Sequence, residues 1–417
     1  MKRVIVSSVV AQHVEDLGIL WNTRRGLVVS GSAALRHVAR LDERLAAHQD
    51  GCVVAGAGGF ELLMEQMVDP TPSTMFAATL NALDVRDKTR FESCLAVGET
   101  IPESVAGITS ALGWVERDRL VGFGQDLLVA QVPFLRRMGL SACRVHVVDP
   151  GAPVLAALKS ENASVRAEGL RATGTLGRHE LVSTIAAVRD QDPTCRMWAA
   201  WSAVLLGNRS AALESLAEIG LAPGPHRARA FRLAVQAMKT TATRAILKEV
   251  AQDPQQLRWL IQASGITGDS TYVPWLIGLM SNDQTARIGG EAFSLITGTD
   301  LALLDLERKP PENVESGPND DPEDPNVEMD PDDGLPWPDQ ERIQTWWVAN
   351  NSRFQAGTRY FMGAPVTREH CIEVLKDGYQ RQRILAAHYL CLLNPGTPLF
   401  NTSAPAWRQQ KLLAQME

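Results

Sequence analysis

Residues 158–177, LKSENASVRAEGLRATGTLG, are answered thirty positions later by residues 188–207, VRDQDPTCRMWAAWSAVLLG. Arg166 and Arg196 are 30 residues apart, and so are Gly177 and Gly207. Between Arg and Gly each copy carries a stretch rich in Ala and Leu with no proline. The arginine register continues through Arg227, Arg258 and Arg287, at steps of 31, 31 and 29. Self-similarity at about 30 residues marks stacked supersecondary units, none of which buries its apolar face alone.

Each unit predicts two helices. Leu181, Ile185 and Val188 recur at i, i+4 and i+7, one face of a first helix. Asp192-Pro193 then breaks it, because Asp suits an N-cap and Pro the first turn of a second helix. Trp198, Trp201 and Leu205 carry the buried face of that helix, and Gly207 closes it. Four residues before a register arginine stand Asn162, Asp192 and Asp283, while Asp253 is one place further back. This spacing predicts a structural ladder of Arg166, Arg196, Arg227, Arg258 and Arg287 with acids such as Asp192 and Asp283, bonding sideways from turn to helix. The plainer alternative is a set of solvated turn charges, since exposed pairs contribute little.

Paired helices, an Asp-Pro turn, a register Arg and a closing Gly resemble HEAT-type helical repeats over roughly Asp149 to Gly298; the copy around Arg227 lacks the Gly. The expected fold is therefore all-α: a HEAT-like helical repeat solenoid with an acidic Pro-rich insert and a C-terminal helical cap. The expected division is a helical region of degenerate repeats over 1–148, the array over 149–305, an acidic loop over 306–345, and a helical repeat and cap over 346–417.

With 417 residues, 45% hydrophobic and 21% charged, the composition is that of a soluble globular protein. A net charge of −7 argues against broad nucleic-acid affinity, although Lys159–Arg258 alone has 14 basic and 9 acidic residues. The six cysteines are scattered without a CxxC pair, and four of them, among apolar or small neighbours, read as buried thiols of a reducing compartment. The N-terminal apolar run contains two Ser and soon meets His13, Glu15 and Asp16, which weighs against a signal peptide. No stretch is apolar enough to span a membrane, and the chain reads as cytoplasmic.

Before the array, residues 4–50 read as helical, with Ser32 as N-cap and Gly51 as stop for the second helix. The VAGAGG of 54–59 lacks the GxGxxG pattern and reads as a turn. Leu127, Leu128, Val132 and Leu135 suggest one further helix. After the array, residues 310–339 hold 11 acids, 8 prolines and no Lys or Arg, a composition that cannot bury a core and predicts a surface loop or disorder. The acids at 330, 332 and 333 lack the alternation of a calcium loop. Leu335-Pro336-Trp337-Pro338 is a stiff extended segment, and Asp339 caps a helix with Ile343, Trp346 and Trp347. Trp337, Leu335, Trp346 and Trp347 are the candidate partner-binding residues. The stretch RYFMGAPVT reads as a small hairpin, and 370–396 as one more helix pair. By charge, the acidic stretch could fold back on the basic array as a pseudo-ligand.

RLDERLAAHQDG, RVHVVDPG, LPWPD with WW, RYFMGAPVT, and GYQRQR with LNPGTPLF occur in that order along nearly the whole chain. Together they resemble a bacterial family of HEAT-repeat proteins without assigned activity, often encoded among type VI secretion genes. The resemblance implies a non-enzymatic adaptor or chaperone for a secretion spike or effector protein, with no catalytic residue, cofactor or metal carried over. Two other classes use the same architecture. A HEAT-scaffold hydroxylase would repeat His-Glu metal pairs, but only His179-Glu180 has that form; bilin lyases share the architecture alone. A HEAT-type DNA binder would need a basic, aromatic-lined face. His37 and His48 could share a helix face but have no third ligand nearby.

Overall fold

A computed structural model describes residues 6–312 and 330–416; most of the acidic stretch, residues 313–329, lies outside the described residues. Among the described residues the protein is all-α, with twenty-two α-helices and one short antiparallel ribbon, Tyr360–Phe361 with Ala364–Pro365. Two compact units are formed. The first takes the described residues of Met1–Val29, Ala33–Asn208 and Asn394–Glu417, the second those of Ser30–Ser32 and Arg209–Leu393. The boundary at 208/209 falls inside the 149–305 array, and that at 393/394 inside the C-terminal stretch.

In the first unit the helix Pro72–Asp84 is buried on every side from Met75 to Leu83, as suits a run of Ala, Leu and aromatic residues with no charge before Asp84. Its start is fixed by Pro72 in the first turn and by Thr71, whose hydroxyl accepts from the Thr74 N–H. Phe76 lies between Trp21 and Trp114, with ring centroids 5.9 and 6.0 Å away. Two boundaries differ from the sequence reading. The second helix, Leu35–Val54, runs through Gly51 and has Ala34 at its N-cap in place of Ser32. The Leu127–Leu135 stretch is two helices, Gly124–Val129 and Pro133–Val145, because proline cannot donate to the preceding turn.

The helices Pro133–Val145, Ala163–Thr175 and Pro193–Leu205 then pack in succession. Gly177, at φ +71°, follows the middle one. The C-terminal segment crosses there: Leu399 N donates to Thr175 O at 2.8 Å, and a Cβ on Gly177 would collide with the Gly396 carbonyl. The closing glycine thus admits a second backbone to a helix end whose last carbonyls need donors.

The second unit is built likewise. Leu257–Thr267 packs on Asp283–Thr297 and on Arg227–Ala237, and Gln380–Leu393 also packs on Arg227–Ala237. Gly268 is left-handed at φ +66°, and the ribbon strand passes over it: Tyr360 N donates to Gly268 O at 2.8 Å, while a Cβ there would strike the Tyr360 carbonyl. Asp339 accepts from Arg342 N and starts Gln340–Asn350, as its sequence suggests. Ile343 and Trp347 of that helix join the core formed by Val273, Leu276, Phe293 and Ile296.

Candidate functional site

The register arginines make different bonds in the two units. In the first, Arg166 forks onto Asp190, with Nε and Nη2 at 2.7 and 2.9 Å, and also donates to the carbonyls of Ser160 and Glu161. Arg196 donates to the carbonyls of Asp190 and Gln191. Arg144 and Glu168, one helix earlier, pair at 2.6 Å. The expected acids serve otherwise. Asp192 spends its carboxylate on the Cys195 N–H as an N-cap, and its ladder place is taken by Asp190. Asp283 pairs with Arg308 at 2.5 Å, and Asn282 is the cap of its helix. A carboxylate aimed at its own helix N-terminus is turned away from the neighbouring turn.

In the second unit Arg227 donates to Gln256 Oε1 at 2.5 Å and stands 4.7 Å from the Trp259 ring. Arg258 and Arg287 instead grip the end of the acidic stretch. Arg258 forks onto the Asp332 carboxylate at 2.8 and 2.5 Å. Arg287 donates to the Asp330 carboxylate at 2.6 Å and to the Asp332 carbonyl at 3.1 Å. Arg381, from the helix Gln380–Leu393, donates to the Pro331 carbonyl at 2.6 Å and to Glu291 at 2.8 Å. One Asp-Pro-Asp turn, closed by the Asp333 N–H on the Asp330 carbonyl at 3.1 Å, is therefore held through side chains and backbone by arginines of three helices. Such forks select planar carboxylates by geometry as well as by charge.

The electrostatics agree. Burial opposes ionisation of Asp330, but the Asp332 N–H and the Arg287 guanidinium outweigh it and hold the carboxyl below its ordinary range. Burial pushes the Glu291 carboxyl up, against the pull of Arg381. Arg232 is near Arg229, Arg381 and Glu291. Among the described residues, Arg229, Arg232, Arg258, Arg287 and Arg381 are gathered around the carboxylates of Glu291, Asp330 and Asp332.

Three of the four apolar candidates, Leu335, Trp337 and Trp347, are buried where the sequence suggested a surface anchor, and Trp346 is half-buried. Trp337 is 9% exposed, between Arg287 at 4.7 Å and Arg308 at 5.3 Å from its ring. Its carbonyl accepts from Arg308 N at 2.7 Å, and Asp339 N donates to Leu306 O at 2.8 Å, so residues 337–339 are stitched to the chain beside Glu307. Leu335 is buried beside Gly31. Trp347 is buried beside Phe354, and Trp346 rests edge-on against Phe293. A stiff Pro-flanked aromatic reads as exposed in sequence, but here two guanidiniums cover it.

Arg381, Glu291 and Arg308 were missed. The one available signal was an acidic, Lys- and Arg-free stretch following the last register arginine. Separations of 74 residues for Arg258–Asp332 and 43 for Arg287–Asp330 are invisible to periodicity.

Elsewhere, the first unit has a cleft of about 730 Å³ lined in part by Arg117, Gln125, Cys143, His146 and Asp149. His146 Nε2 is 2.7 Å from the Leu112 carbonyl, and burial pushes the Cys143 thiol up, away from a reactive thiolate. Glu180 is bound by Arg178, and His179 Nδ1 meets the Leu206 carbonyl. His37 faces Ala34 N, whereas His48 meets His13 and Asp16. Among the described residues no three His, Cys, Asp or Glu side chains are grouped to hold a metal, and no helix is long and apolar enough to cross a membrane. Comparison of the chain with protein-family models, curated proteins and solved structures finds no match.

Proposed function

We propose that the protein is a non-enzymatic interaction scaffold, an adaptor or chaperone for a type VI secretion spike or effector protein, acting in the cytoplasm. What supports the scaffold reading is one observation: Arg258, Arg287 and Arg381 present converging donors to an acidic turn. Helical repeats bind proteins over such faces, with arginine a frequent anchor. The secretion context rests on the sequence resemblance alone.

The test is affinity capture of the tagged protein from its native lysate at low and high salt, followed by mass spectrometry. Recovery of a secretion spike or effector component, lost on Arg258→Glu with Arg287→Glu, is the expected result. Nucleic acid that elutes steeply with salt would replace the scaffold reading with the DNA-binding one. An unchanged partner yield from the double variant would place the contact elsewhere on the protein.

A further inference from the structure

We propose that Asp330-Pro331-Asp332 is a resident pseudo-ligand, and that the arginine site of the second unit takes in exchange an Asp-x-Asp turn of a protein partner. This rests on the scaffold reading and names the partner's chemistry and how access to it is controlled.

Four observations carry it. First, the segment is held as a peptide ligand is held. Each of its three residues offers between one and three oxygens to an arginine of another element, and the backbone carbonyls of Pro331 and Asp332 are used as well as the two carboxylates. Another acidic chain that adopts the same turn would supply the same oxygens.

Second, its fixation is uneven. Trp337 to Asp339 is anchored by backbone pairing with Leu306 and Arg308. Asp330 to Asp332 is held to the helices by guanidinium bonds; the Arg258 side chain is 39% exposed, whereas Asp332 and the Arg287–Asp330 pair are largely buried. Water and salt compete with the exposed bond. Gly334, at φ +73°, stands between the two parts as a natural pivot.

Third, the site is cationic among the described residues: Arg232 lies in the field of Arg229 and Arg381, with Glu291 as the nearby acid.

Fourth, tethering favours the resident segment. A ligand on the same chain is present at a high effective concentration, so a free peptide competes poorly until the tethered copy is weakened.

The experiment uses the full chain and a fluorescein-labelled peptide of residues 330–335, DPDDGL, read by anisotropy at low salt. Asp330→Asn with Asp332→Asn removes the resident charges while keeping side-chain shape. The expected result is at least about tenfold tighter peptide binding than wild type, returned to the wild-type level by adding Arg258→Gln. Equal binding by wild type and the double variant, or no binding by the variant, overturns the proposal. A thermal melt by circular dichroism establishes that the variant is folded. If it is not, Asp330→Asn alone carries the same test with an expected gain of about threefold. The two readings fail separately. If peptide binding does not improve while Arg258→Glu with Arg287→Glu still loses the captured partner, the pseudo-ligand falls and the scaffold stands. If peptide binding improves and no protein partner is captured, the acidic-segment site stands and the adaptor reading falls.

Discussion

His146 shows how a single buried group contributes to the pH response of the first unit. Burial, aided by Arg408 and Arg117, pushes its imidazole down to about 4. Folding therefore lowers this pKa below the unfolded value of about 6.5. The unfolded chain binds the extra proton between those values, so the stability contributed is fully present above about pH 6.5 and lost as pH falls toward 4. His146→Gln, which can still donate to Leu112 O, should flatten the fall in Tm between pH 6.5 and 4.5; an unchanged slope would assign that fall to other groups. In the second unit Gly268 is the sensitive position. Gly268→Ala places a side chain at positive φ, a cost of roughly 1–2 kcal/mol, and drives a methyl into the Tyr360 carbonyl. A thermal melt should show a clear loss, larger than for Gly278→Ala, where a Cβ meets nothing.

At the scale of elements, helix starts were legible because the caps are local. Asp192 with Pro193, and Asp339 with Gln340, act within one turn of where they stand. The ladder was legible only as a register. An Asp spaced four residues before an Arg serves equally as a cap, and the cap won at Asp192, leaving Asp190 to meet Arg166. Double-mutant cycles separate the two roles. The Arg166–Asp190 pair should show coupling of about 1 kcal/mol or more, and Arg196–Asp192 close to none. Asp192→Ala alone should still cost about 1 kcal/mol as a lost cap. Coupling of equal size in both pairs would restore the ladder as first read.

At the scale of the molecule, composition and periodicity made the all-α class plain, since paired amphipathic helices leave a local signature every thirty residues. They could not show that the C-terminal segment returns to the first unit, where Leu399 meets Thr175, because that contact joins positions 224 residues apart with no charge or pattern to mark it. The same limit hid the candidate site: five arginines in register were visible, but not which acids they hold. Charge gave a hint at the right stretch, but the burial of Trp337 under two guanidiniums and of Leu335 beside Gly31 joins distant positions and has no sequence signal.

The most direct measurement is hydrogen exchange on the full chain, following the amides of Asp332, Asp333 and Leu335, which donate within the segment itself. If the segment is an exchangeable occupant, these amides open locally, exchanging much faster than the helices Leu257–Thr267 and Asp283–Thr297, and faster still in Asp330→Asn with Asp332→Asn while both helices keep their protection. If they exchange only when the helices do, the segment is a fixed strut of the second unit, and the arginine site is closed to partners.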